Sequence, residues 1–354
     1  MARIALDAMG GDFAPRATVT GALLALRELD SAHSIQLVGR TAIITAQLNE
    51  LLADAEFSAL RSASQQGRLA VVEAPDVIEM TDKPAAAVRA KPNSSMIIGL
   101  KLQADGDSDA FVSAGNTGAQ MFASMVVLRL HAGVERPAIA TVFPSARKPV
   151  VVLDSGANVD CSADELVQFA RLGVVYAEDI LGRENPAVGL LSIGEEPEKG
   201  NAVVKEAHHL LQTARLNFIG NVEGRDLPAG ACDRGPIDVV VCDGFVGNVV
   251  LKFYEGIAPF ILGLLSQSGL DQNAMMGALR PLDYSEHGGA PLLGVNGVSI
   301  ISHGKSSPRA IKNAIKVAIK AIDTHMDEHI GRRLQEAAVN GAAAGETAGK
   351  GDAA

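Results

Sequence analysis

The feature that most constrains this chain is a rhythm: a short apolar run, a Gly-rich polar loop, then apolar residues at helical spacing. It recurs at Ile4 to Asp7, Ala110 to Ala114, Val150 to Asp154, Val188 to Ile193, Asp238 to Cys242 and Val298 to Ser302. Strands that alternate with crossover helices build parallel sheets with helices on their faces, so the expected class is α/β. Ser162-Ala163-Asp164-Glu165 fits a capping box, and Ser307-Pro308 fits an N-cap with proline at the first helical position. The polar loops therefore follow strand C-termini, the edge where open parallel sheets bind ligands. Glycine, aspartate and asparagine also serve ordinary βα turns, so position alone does not turn a loop into a site.

A chain of 354 residues, 47% hydrophobic, is long enough for two α/β lobes with a sizeable core. Its formal charge of −10 argues against nucleic acid, whose phosphates demand a basic face. Cys161, Cys232 and Cys242 are too few and too irregularly spaced for a disulfide framework or a zinc site, and Cys161 and Cys242 read as structural thiols. The N-terminus reads as a strand without a signal region, and no run approaches the roughly 18 uninterrupted apolar residues of a spanning helix. A cytoplasmic protein is expected. Residues 336–354 are small, polar and low in complexity, and are expected to form a disordered tail.

Taken together, DAMGGD (7–12), SAGNTGA (113–119), LDSGAN (153–158), IGEEPEKGN (193–201), GNVEGRD (220–226), DGFVGNVVLK (243–252) and GGAPLLGVNG (288–297) form an ordered series. The series resembles the bacterial phosphate acyltransferase family, which uses acyl carrier protein as acyl donor, and the resemblance spans about the first 330 residues. It departs from the family at His303-Gly304-Lys305-Ser306-Ser307, where a shorter His-Gly-Ser-Ser type segment is expected. The resemblance implies a two-lobed, mainly parallel fold with flanking helices, like phosphotransacetylases and isocitrate dehydrogenases. Residues 1–135 with 297–335 would form one lobe, and 136–296 the other, carrying a homodimer interface. The implied reaction moves a long-chain fatty acyl group reversibly from acyl carrier protein to inorganic phosphate, for phospholipid synthesis. Handover to a membrane glycerol-3-phosphate acyltransferase and peripheral contact with the membrane's inner face follow from the same likeness.

Phosphate is already a nucleophile, so this chemistry needs an anion site, a polarised carbonyl and a stabilised thiolate, but no enzyme nucleophile. The sequence has no G-x-S-x-G elbow, zinc-protease helix motif or Walker lysine motif. The first candidate for phosphate is Ser113, Gly115, Asn116, Thr117 and Gly118, a glycine loop opening a helix; a plain tight turn is the competing reading. Lys199 would offset anionic charge, unless it belongs to a solvated charge cluster. Asp243, Asn248 and Lys252 follow a buried strand, the last two at i and i+4 on one helix face, with site and structural cap equally weighted. His303 follows an apolar strand and is a candidate general acid or hydrogen-bond donor, whereas His208 and His209 read as surface residues. Asp7, Gly10, Gly11 and Asp12 form an acidic glycine turn, and with Asn158 complete the substrate-binding candidates. Two acids without a nearby histidine make a thin case for a metal; neither metal nor cofactor is expected.

Residues 257–282 place Ile257, Phe260, Ile261, Leu264 and Leu265 at helical spacing, which fits core, dimer interface or a membrane-facing surface. Arg309, Lys312, Lys316 and Lys320 form a basic stripe opposite Ile311, Ile315, Ala318 and Ile322, either a solvated face or a dock for an acidic carrier. Three rivals remain: a small-acyl phosphotransacetylase using coenzyme A, a decarboxylating dehydrogenase, and a non-catalytic carrier-protein or membrane adaptor. The dehydrogenase lacks a G-x-G-x-x-G fingerprint with a distal acid.

Overall fold

The computed structural model describes residues 1–266 and 288–336. The expected tail beyond residue 336 and the apolar stretch after residue 266 lie outside the described residues. In chain order the strands are β1 (Arg3–Asp7), β2 (Ser34–Gly39), β3 (Leu69–Glu73), β4 (Ala110–Ser113), β5 (Ala138–Ile139), β6 (Thr141–Phe143), β7 (Val150–Leu153), β8 (Val188–Leu191) and β9 (Phe218–Val222). A small hairpin of β10 (Ala231–Cys232) and β11 (Gly235–Pro236) precedes β12 (Val239–Val241), β13 (Ala290–Leu293) and β14 (Val298–Ile301). Runs such as Val150–Leu153 and Val239–Val241 are buried along their whole length, because helices cover both faces and leave no solvated side for polar residues.

The first sheet has the order β3-β2-β1-β4-β14-β13-β5. Strands β3, β2, β1, β4 and β14 run parallel, and β13 is antiparallel to both neighbours. The chain leaves β1 for β2 and β3 on one side and returns to β4 on the other, so β1 and β4 flank a switch point where a crevice opens at their C-terminal ends. The second sheet has the order β6-β7-β12-β8-β9, parallel except for β6. This is the expected α/β architecture of two mainly parallel sheets with flanking helices. Strands β5 and β13 pair in the first sheet, and among the described residues the strands of the second sheet run from β6 to β12.

The helix Pro308–Asp323 returns to the first lobe and packs on Arg16–Glu28; a Cβ on Gly21 would lie 2.6 Å from Ile311 Cβ, so only glycine permits the approach. Ser307 caps it through Ala310 N–H, and Ser162 and Glu165 close the capping box of Ala163–Asp179. Helical residues beyond Thr324 reach the other lobe, where His329 Nδ1 lies 2.9 Å from Asp179 and Arg333 2.7 Å from Glu178. His208 corrects the surface reading: it is buried, with Nδ1 2.9 Å from Asn221 Oδ1, while His209 is exposed.

Candidate active site

Three loops of the first lobe meet at the C-terminal edge of β1, β4 and β14. Asp7 lies beneath them, fully buried, and accepts from the Ser113 hydroxyl at 2.8 Å and from Met9 N–H at 3.1 Å. Burial pushes its carboxyl above the usual range, and hydrogen bonds from Ser95, Ser113, Met9 and Gly10 oppose that shift. A Cβ on Gly10 would come within 2.6 Å of the Asp7 carboxylate and 2.9 Å of Gly115 N, so glycine lets the loops touch. Gly11 takes φ +108°, and Asp12 N–H donates to Gly304 O at 2.7 Å, joining the loop after β1 to the one after β14.

Asn116 is occupied structurally. Its side-chain oxygen caps the helix Thr117–Val127 through Ala119 N–H, and its amide donates to the carbonyls of Glu79, Met80 and Asp82. Gly115 N–H donates to Ser113 Oγ, and Gly118 packs against Pro84.

In the second lobe the loops after β7 and β12 form one unit. Asp154 Oδ1 accepts from the N–H groups of Ile139, Gly156 and Ala157, and Oδ2 from Asn158 N–H and its side-chain amide. Asn158 also donates to Pro137 O, and Gly244 N–H donates to Asn158 O. A Cβ on Gly247 would overlap Asp154 O at 1.9 Å, so this glycine seats the helix Gly244–Ser266 on the loop. Asp243 Oδ1 accepts from Val246 N–H and caps that helix. Cys242 is buried and Cys161 half-buried; burial raises both thiols, Cys161 to about 12, which leaves both poor nucleophiles at neutral pH.

Between the lobes lies a cleft of about 420 Å³. Asp12, Thr117, Asn248, Lys252 and His303 line it; Asp7, Gly10, Gly11, Ser113, Gly115, Asn116, Gly118, Asn158 and Asp243 do not, and instead hold the loops that shape it. Lys199 is exposed in the loop after β8 and is also outside the lining. Lys252 Nζ pairs with Glu255 at 2.8 Å, one turn from Asn248, which lies beside Gly156. Lys305 N–H donates to His303 Nδ1 at 3.1 Å, so the neutral ring carries its proton on Nε2. Burial and then Lys252 depress the His303 pKa, opposed by Glu255 and Asp12. Burial and Lys252 both favour the neutral ring.

The motif reading did not single out Met80, Ile139, Thr141, Phe143, Ser155, Tyr254, Glu255 or Ser302, all of which line the cleft. Glu255 stands three residues after Lys252, a spacing that could have drawn attention. The strand residues near 139–143 follow no glycine loop, so no local signal marks them.

Residues 2–329 match the family described as fatty acid synthesis protein. A phosphate acyltransferase of Pelotomaculum thermopropionicum is 47% identical over 322 residues, 88% of this chain and 89% of that one. One of Desulforamulus reducens is 47% identical over 323 residues, 88% and 91% of the two chains. The chain belongs to the phosphate acyltransferase family. It is accordingly an enzyme, an acyltransferase. A solved phosphotransacetylase from Streptococcus pyogenes, 17% identical, shares the fold with a TM-score of 0.60 over 91% of this chain and 94% of that one.

Proposed function

We propose that this acyltransferase moves a long-chain fatty acyl group from acyl carrier protein to inorganic phosphate, reversibly yielding acyl-phosphate for phospholipid synthesis. The observation that carries the reading is a cleft lined both by polar Asp12, Thr117, Asn248, Lys252 and His303 and by apolar Ile139, Val142, Phe143, Leu251 and Tyr254, which we take as a polar and an apolar lane. A charged nucleophile and an alkyl chain need those two surfaces side by side. In the polar lane Lys252 balances the phosphate charge, while Thr117, Asn248 and His303 Nε2–H supply neutral donors. A hydrogen-phosphate oxygen bonds to the thioester carbon, the C–S bond breaks, and the proton of hydrogen phosphate ends on the departing thiol. Asp7, Gly10, Gly11, Ser113, Gly115, Asn116, Gly118, Asn158 and Asp243 act by holding the loops, and Lys199 acts as charge at the same edge of the second sheet.

Incubation with acyl carrier protein thioester and labelled phosphate is expected to give labelled acyl-phosphate and free thiol, with little product from acyl coenzyme A. Equal thiol release without phosphate would sink this reading, and preference for a short acyl coenzyme A would favour the phosphotransacetylase alternative. For the acidic carrier the proposed dock is the stripe beside the loop after β14. The structure alters its make-up, because Lys312 and Lys316 both pair with Glu28, whose pKa they hold at about 2. Arg309 and Lys320 are the exposed ends of the stripe. Its inward face is as read for Ile311, Ile315 and Ala318, with Ile322 only half-buried.

The helix Gly244–Ser266 carries Phe245, Val249, Phe253, Phe260 and Leu264 exposed on one side, Phe260 by 62% and Leu264 by 56%. Its stretch Gly244–Leu265 is long and apolar enough to cross a membrane, with mean hydropathy 1.4, yet Asn248, Lys252 and Glu255 occupy its cleft side. The proposed occupants of the apolar side are a second copy of the chain and the inner membrane surface, where product would pass to a glycerol-3-phosphate acyltransferase. Replacing Phe260 and Leu264 together by Asp is expected to abolish dimerisation or vesicle binding, checked by light scattering and flotation. A dimer that persists with unchanged flotation would rule this face out.

A further inference from the structure

At about 100° per residue, Asn248, Lys252 and Glu255 share one arc of their helix, and Leu251 and Tyr254 occupy the arc beside it. The second arc faces Phe143 at the end of β6. The rings of Phe143 and Tyr254 meet edge to face, centroids 4.9 Å apart at 90°. Phe143 is 1% exposed and belongs to the packed second-lobe core with Val222, Leu227 and Val240, with only an edge reaching the cleft, so it is braced by close-packed side chains. Tyr254 is half-buried and lines the cleft. Its hydroxyl is buried without a partner among the described residues, a cost that a buried tyrosine usually avoids.

We propose that the Tyr254 ring, braced by Phe143, is the end wall of the apolar lane and sets the longest acyl chain the enzyme accepts. The inference rests on the acyl-transfer reading above. A chain that outgrows the lane meets an aromatic ring whose backing is close-packed core, and it must leave its last carbons in water or displace the helix. Each methylene so handled changes discrimination by about tenfold or more. The ring supplies the wall, and the unpartnered hydroxyl adds nothing to it.

The test is a ladder of acyl carrier protein thioesters from butyryl to stearoyl, assayed with labelled phosphate. Tyr254→Ala is expected to raise kcat/KM for the longest chain relative to the shortest about tenfold, with the KM for phosphate unchanged. Tyr254→Leu, a smaller change that keeps an apolar side chain, is expected to move the ladder in the same direction by less. Tyr254→Phe keeps the wild-type order of chain lengths and a thermal midpoint equal to or above that of the wild type. An active wild type whose ladder is the same in the Ala and Leu variants would overturn the wall. So would a Phe variant that shifts the ladder as far as Ala, because the hydroxyl would then be the determinant. Absence of acyl-phosphate from the wild type with every donor would instead sink the acyl-transfer reading itself.

Discussion

Asp154→Asn is expected to lower the unfolding free energy by about 3 kcal/mol, although the two side chains have nearly the same shape. Asp154 is fully buried, and both of its oxygens accept from N–H groups, five donors in all. Burial pushes its carboxyl above the usual range, opposed by bonds from Ala157, Ile139 and Asn158. An amide would remove the desolvated charge, a gain, but it would place an NH2 against a donor such as Asn158 N–H, 2.6 Å from Oδ2. The donors belong to the backbone at 139 and 156–158 and to a side chain held by Pro137 O, so they cannot turn away together. The mismatch outweighs the gain. Urea unfolding should show a lower midpoint with an unchanged slope; an unmoved midpoint would mean that the loop rearranges freely around position 154.

That carboxylate also shows where sequence reasoning stopped. All six strands read from the apolar runs are present within about two residues, because a buried parallel strand leaves an uninterrupted run and a turn residue on either side. Strand β2, Ser-Ile-Gln-Leu-Val-Gly, alternates too weakly to stand out, and β13 contains Pro291 and follows two glycines, so it read as loop. Of the motif residues, Asp12, Thr117, Asn248, Lys252 and His303 line the cleft, and Lys199 does not. Sequence could not say which of them line the cleft and which lie beneath: Asn116 and Asp12 look alike in a loop, but one is consumed by a cap and three carbonyls and the other lines the cleft. The apolar lane was invisible for another reason. It is assembled from the strand residues 139–143 and one helix arc at 251–254, about 110 residues apart in sequence and brought together only by the fold.

Lys252→Met is expected to reduce kcat/KM by about 100-fold, the usual loss when one preorganised positive group is taken from a developing anion. The lysine is half exposed and already paired with Glu255, so the substitution leaves the core untouched and the loss should appear in the phosphate step rather than in stability. It also changes its neighbour. His303 is held below its ordinary pKa first by burial and then by Lys252, while Glu255 and Asp12 act in the opposite sense. Removing the lysine deletes a depressing influence and leaves Glu255 uncompensated, so the His303 pKa must rise. Protonation of His303 would set an N–H on Nδ1 against the Lys305 N–H that now donates to it, disturbing the loop after β14. The acid limb of the kcat/KM profile should therefore lie at higher pH in Lys252→Met than in the wild type, with the difference shrinking as salt is added. Full kcat/KM in the variant would remove Lys252 from the phosphate lane, and a slower enzyme with an unmoved acid limb would show that His303 does not set that limb.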